Sequence, residues 1–242
     1  MLKITTMSLR NNIKAILFDL DGTLIEVNLK LFIPEYLKLL ASNVSHLVRQ
    51  SKFISKLMIA SQEVDKNDGT KTNDQVFAEA FFPLIGYARE EMDPLFDKFY
   101  EQDFPKLRQY TKPKPAARKV MKRAFEKGYD VVIATTPLLP ETAIRQRLDW
   151  AGVPIDDFPY KLITSLENTY ANKPNLLYYE LIADTIGCSP EECMMVGDED
   201  KDMVAARLGM KTFLVQSSNT KLGSDIPKPD YQGTLADLEK IL

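Results

Sequence analysis

Long apolar runs are missing from this chain. No stretch approaches the ~18 consecutive apolar residues of a membrane-spanning helix, so no membrane partner is expected. Positive charge is not in excess either. A formal net charge of −3 over 242 residues leaves no broad cationic surface for nucleic acid, and no acidic tail is present. Cysteine is scarce: Cys188 and Cys193 stand five apart in CSPEEC, which is neither a zinc-ligand nor a redox spacing, and reduced thiols are the default. The opening MLKITTMSLRNNIK lacks both an apolar core and a small-residue cleavage pattern, so it does not read as a secretion signal. A cytoplasmic, soluble protein is the expectation. Internal repeats and low-complexity tracts are also absent. What the chain does have is apolar content, 45% of its residues, enough for one large domain or two small ones.

Short apolar runs alternate with helical patterns from Ile13 onward. Ile13 to Phe18 reads as a buried strand, and similar runs occur at Tyr129 to Ala134, Tyr160 to Ile163, Cys193 to Val196 and Thr212 to Val215. Between them the periodicity predicts helices over Pro115 to Lys127, Pro140 to Ala151, Pro174 to Ile186 and Asp200 to Leu208, each followed by a glycine suited to closing a helix. Repeated βα units predict an α/β fold, a Rossmann-like doubly wound parallel sheet covered on both faces. One segment breaks the rhythm. From Val27 to Tyr110 only helical periodicity is found, over Leu31 to Val48, Phe53 to Ala60, Gln75 to Leu84 (with Asn73 and Asp74 as candidate caps) and Glu90 to Glu101. The segment returns through the stiff, hinge-like KPKP at Lys112 to Pro115. The expected organisation is therefore a discontinuous core, residues 1–26 plus 111–242, with a helical domain, residues 27–110, inserted after the first strand.

The stretch ILFDLDGTL, residues 16–24, poses the chemical question. It ends a buried strand on two like charges, Asp19 and Asp21, which repel one another in an apolar setting. Either a cation sits between them or one of them holds a proton. Ligands of open parallel sheets bind beyond the carboxyl ends of the strands. That rim carries Asp19-Leu20-Asp21-Gly22-Thr23, then Thr135-Thr136, then Asn172-Lys173-Pro174, then Gly197-Asp198-Glu199-Asp200-Lys201-Asp202.

In that order, DLDGT, a strand ending in Thr135, Lys173-Pro174 and GDEDKD resemble the four motifs of the haloacid dehalogenase-like superfamily, phosphatase branch. The helical insertion resembles the cap of one large branch, with phosphoglycolate phosphatase-like enzymes the similar group by layout. The resemblance implies a phosphatase that hydrolyses a small phosphomonoester through an aspartyl-phosphate on Asp19. It implies Mg²⁺ as cofactor, held by the Asp19 carboxylate, the Asp21 backbone carbonyl and the Asp198 carboxylate, hard oxygen donors that suit this ion. Asp21 would be the acid and base. Thr135 and Lys173, with the backbone at Leu20 and Asp21, would bind the phosphate, and Asp202 would orient the metal site or Lys173. The implied partner is a small phosphate ester, and the chain is expected as a monomer or homodimer.

Taken singly, these residues have plainer readings. GDEDKD caps a helix, Thr135 ends a strand, and Lys173 starts a solvated helix. A calcium loop is rejected, because it wants Gly at position six and Glu at twelve, whereas Gly22 is fourth and Lys30 is twelfth. His46, the single histidine, is expected on a face of an inserted helix. Phe81, Phe82 and the aromatics from Phe96 to Tyr100 are expected in its core. Among rival functions, a C–halogen hydrolase needs no acid at Asp21, a sugar phosphomutase shares the aspartyl-phosphate, and a phospho-accepting receiver module is about half this length and carries no insertion. Lys30, Arg49, Lys52, Lys56 and Arg89 are candidate contacts from the insertion to substrate.

Overall fold

The computed structural model describes residues 12–217 and 220–242; most of the N-terminal stretch read above for a secretion signal lies outside them. Strand β1, Ala15–Phe18, is AILF with every residue buried. It can be apolar throughout because it is central. It pairs in parallel with β4 (Asp130–Ile133) on one side and β6 (Cys193–Gly197) on the other, so both of its faces are covered. Beyond these lie β5 (Leu162–Ile163), β7 (Lys211–Val215) and β8 (Tyr231–Gly233), giving a six-stranded parallel sheet of order β5-β4-β1-β6-β7-β8. Alternation along β1 divides the interior in two. Ile16 and Phe18 point into one apolar cluster, and Ala15 and Leu17 into the other. Helix α7 (Leu176–Ile186) buries Tyr178, Tyr179 and Ile182 in the second cluster; α5 (Ala117–Glu126), α6 (Glu141–Trp150) and α9 (Leu235–Ile241) cover the first.

The helix expected over Asp200 to Leu208 is α only over α8, Asp200–Met203, and tightens into a 3-10 turn at Val204–Leu208. The ribbon of β2 (Ile25–Val27) with β3 (Thr111–Pro113) was not expected. It gives the stiff KPKP stretch its partners: Lys112 and Pro113 pair with Glu26 and Ile25, and the Lys114 amide donates to the Leu24 carbonyl at 3.1 Å.

Between the two ribbon strands run α1 (Leu29–Asn43), α2 (Gln50–Val64), α3 (Asn73–Ile85), α4 (Arg89–Gln102) and a 3-10 turn, Phe104–Tyr110. Phe53 and Phe81 meet edge to face at 5.5 Å between α2 and α3, and Phe104 stacks on Trp150 of α6 at 5.3 Å. The cap of α3 is Thr72, reciprocally bonded with Gln75. Asn73 instead turns inward, fully buried, and its amide nitrogen donates to Thr169 Oγ1 at 2.9 Å and the Ala171 carbonyl at 3.1 Å. No helix of the described residues is long and apolar enough to cross a membrane.

Candidate active site

Three strand ends and one loop converge at the carboxyl edge of the sheet. The chain leaves β1 at Asp19, whose amide donates to the Val196 carbonyl at 2.8 Å and whose side chain is buried. It then turns sharply at Gly22, where φ is +82° and a Cβ would overlap the Asp198 carboxylate, so only glycine permits both the turn and the approach. The amides of Leu20 and Asp21 make no hydrogen bond among the described residues, which leaves two donors at the turn. At the end of β6 a Cβ on Gly197 would overlap the Asp202 side chain. That carboxylate accepts from the Asp198 and Glu199 amides, both at 3.2 Å, through Oδ2.

Lys173 joins the two acids. Its buried ammonium donates to Asp19 Oδ1 at 2.9 Å and to Asp202 Oδ1 at 2.6 Å. Burial opposes its charge, but Asp19 and Asp202 outweigh that and hold it well above the ordinary lysine value. Asp19, Asp198 and Asp202 each place an oxygen within 4.8 Å of the others. Burial first, then the neighbouring Asp19, Asp202 and Glu199 charges, push the Asp198 carboxyl up to about 7, against one hydrogen bond from Thr23 Oγ1 at 3.3 Å. Burial likewise raises Asp202, against the pull of Lys173. Lys173 balances only part of this charge, so the donor set fits a divalent cation: hard oxygens, crowded and under-neutralised.

Thr135 follows β4 and is buried, and its carbonyl is fixed by Tyr178 Oη at 2.7 Å and Thr164 Oγ1 at 3.1 Å. Asp21 is turned away from the acid cluster. Its carboxylate is ion-paired with Arg147 Nη2, from the buried face of α6. Burial lowers the Arg147 guanidinium to about 10, and it lies 5.9 Å from the centre of the Phe32 ring in α1. The sequence reading missed Arg147 and Thr23. A signal existed for the first, since Arg147 stands among Ala143, Ile144 and Leu148 on the apolar face of ETAIRQRLDW, an unusual place for a charge.

Above these groups opens a cleft of ≈ 1380 Å³ between the sheet edge and α1–α4. Phe81 and Phe99 are wholly in the core as expected, and Phe82, Phe96 and Tyr100 pack against that core while also lining the cleft. His46 lies in the exposed turn after α1, outside the lining. Of the five basic candidates only Arg89 reaches the cleft. Glu199 lines it and pairs with Lys201 at 2.8 Å, while Asp200 accepts from the Gly223 amide at 3.1 Å.

With this geometry in view, residues 13–209 match the family model of the haloacid dehalogenase-like hydrolases. The chain belongs to that family. Among haloacid dehalogenase-like relatives, a protein named pyrophosphatase PpaX from Halalkalibacterium halodurans is 28% identical over 204 residues, 84% of this chain and 83% of that one. A phosphoglycolate phosphatase from Aquifex aeolicus is 28% identical over 217 residues, 88% of this chain and 90% of its own. Among solved structures, a 2-haloacid dehalogenase from Pseudomonas syringae superposes with a TM-score of 0.64 at 19% identity, covering 95% of this chain and 97% of that one. At that identity the likeness shows the fold, and the fold does not choose between chemistries.

Proposed function

We propose that this hydrolase cleaves a phosphate monoester by way of a phosphoryl group carried on Asp19. The observation that carries the reading is Asp21, a carboxylate two residues beyond the candidate nucleophile, at the cleft and steered by Arg147. A halide leaves without a proton and needs no such acid, whereas an alkoxide does. The phosphatase and pyrophosphatase names of relatives that span most of the chain support the same choice.

In the first step a carboxylate oxygen of Asp19 bonds to phosphorus, the bond from phosphorus to the ester oxygen breaks, and Asp21 delivers its proton to the departing alcohol. In the second, Asp21 takes a proton from water as the water oxygen bonds to phosphorus. The bond to Asp19 then breaks, releasing inorganic phosphate. The Thr135 hydroxyl, the Lys173 ammonium and the amides of Leu20 and Asp21 bind the phosphate oxygens. Asp202 holds Lys173 and the turn at Asp198 in place. Mg²⁺, held by the carboxylates of Asp19 and Asp198 and the Asp21 carbonyl, would supply charge neutralisation for the acids and the incoming phosphate. Residues 27–110 act as a cap that excludes water from the cleft.

The test is phosphate release from 4-nitrophenyl phosphate with and without Mg²⁺. Sustained, metal-dependent turnover supports the reading. Release of halide from a 2-haloacid with no phosphate release would show a dehalogenase instead, and phosphorylation limited to one group per chain would show a receiver-like module.

A further inference from the structure

The cleft has two halves of different chemistry. Its floor is lined by Asp21, Gly22 and Asp198, next to the buried Asp19 and Lys173, and on the phosphatase reading this end receives the phosphoryl group. The half that would face the alcohol is walled by apolar side chains, several of them open to solvent: Leu29 is 49% exposed, Ile33 45%, Met58 48% and Leu138 37%. Apolar groups gathered at a concave surface are the usual mark of a site that buries an apolar ligand body.

Charge sharpens this. Asp93, Asp97 and Glu101 recur at intervals of four along α4, and all three line the cleft beside Phe96 and Tyr100. Every lysine and arginine among the described lining residues is already engaged by a carboxylate. Arg89 pairs with Asp74 at 2.8 Å and Asp93 at 3.1 Å, Lys114 with Glu26 at 3.3 Å, Lys201 with Glu199 at 2.8 Å, and Arg147 with Asp21. The side chains of Asp97 and Glu101 have no hydrogen-bonding or ion-pair partner among the described residues. A second anion on the substrate would meet unpaired carboxylates, and the buried cation of the lining, Arg147, could receive it only by releasing Asp21. Two polar atoms in the lining are also buried and unpartnered, the Thr136 hydroxyl and Gln146 Oε1, and they suit a neutral hydrogen-bonding group on an otherwise apolar alcohol.

We infer, on the basis of the phosphatase reading above, that the site selects phosphate monoesters of neutral alcohols with a largely apolar body and no anionic group. It turns away esters whose alcohol carries a carboxylate or a second phosphate. Phosphoglycolate, in one relative's name, falls in the disfavoured class, and pyrophosphate, in another's, is an anhydride that brings a second anion in its leaving group.

The test compares kcat/KM with Mg²⁺ for 4-ethylphenyl phosphate and 4-(carboxymethyl)phenyl phosphate, which differ in charge far from the ester oxygen. The neutral ester is expected to be better by tenfold or more. The Asp97→Asn/Glu101→Gln double variant should shrink that ratio at least threefold, which a merely structural role for these exposed residues would not do. A ratio near one, a preference for the carboxylate, or a ratio unmoved in the double variant would overturn the inference while leaving the phosphatase reading intact, because both esters are turned over. No turnover of either ester would remove the phosphatase reading and this inference with it.

Discussion

Asp21 and Asp198 are two acids with opposite predicaments, and each yields a measurement. Asp21 has a cation and, on the account above, a proton to move. Asp21→Asn keeps the backbone carbonyl, so the metal site should survive, but an alkyl phosphate should lose ~10²–10⁴-fold in its first step, the usual worth of a general acid. Nitrophenolate leaves unaided, so 4-nitrophenyl phosphate should give a burst of about one nitrophenol per site and then stall. Equal loss on both substrates with no burst would show that Asp21 does not act as the acid. Asp198 lacks a cation, and its carboxyl rises from 3.8 to about 7 in the folded chain. The folded state then holds more protons than the unfolded one between those values, so stability falls as pH rises through that window. In EDTA the Tm should drop between about pH 4 and 7, Asp198→Asn should flatten the drop, and Mg²⁺ should raise Tm most at the upper end. A Tm that does not respond to pH in EDTA would contradict the crowding. The acids themselves were legible because carboxylates at a strand end conflict with their apolar neighbours. The place of Arg147 on an apolar helix face was a signal too, but its pairing with Asp21 was not legible, because the two lie 126 positions apart and only the fold brings them together.

At the level of elements, legibility follows burial. Strands β1, β4, β6 and β7 are nearly continuous apolar runs because the sheet is covered on both faces, and each was readable. Strands β2, β3 and β8 are three residues each and half polar. They exist because a neighbour offers hydrogen bonds, and no local pattern announces them. The ribbon is one attachment of the insertion to the rest of the chain, and there is a second. The Asn73 amide donates to the Thr169 carbonyl at 2.7 Å and the Asp74 amide to the Leu166 carbonyl at 2.8 Å, beside the loop that carries Lys173. Replacing the buried Asn73 by Ala removes its side-chain bonds to Asn67, Thr169 and Ala171; Asn67 Nδ2 keeps the Lys71 carbonyl and Thr169 Oγ1 the Ser165 carbonyl, but the Ala171 carbonyl loses its donor, at a cost of ~1–3 kcal/mol. Hydrogen exchange should then quicken in residues 65–74 and 165–172 together; quickening confined to the first segment would show that the two are not mechanically joined. In the parent protein, Mg²⁺ with a phosphate analogue such as beryllofluoride should slow exchange near Val27 and Thr111 if residues 27–110 close as a cap. Unchanged exchange at both places would mean a fixed insertion.

For the molecule as a whole, the parallel sheet explains why residues scattered from Asp19 to Asp202 meet at one place: successive strands deliver their carboxyl ends to a single edge. That architecture is shared by solved structures named phosphatase and dehalogenase, so the chemistry must be read from side chains. Chelation should abolish phosphate release, Mg²⁺ should restore it, and the larger, more loosely coordinating Ca²⁺ should restore it poorly; full activity in excess EDTA would contradict the metal assignment. The central claim is that phosphorus passes through Asp19, and the most direct measurement is the intact mass of the Asp21→Asn variant, quenched in acid after exposure to 4-nitrophenyl phosphate and Mg²⁺. The account predicts the added mass of one phosphoryl group, mapped to the peptide containing Asp19 and lost when Asp19→Asn is combined with it. Normal turnover with no added mass, or an adduct that persists without the Asp19 carboxylate, would contradict it.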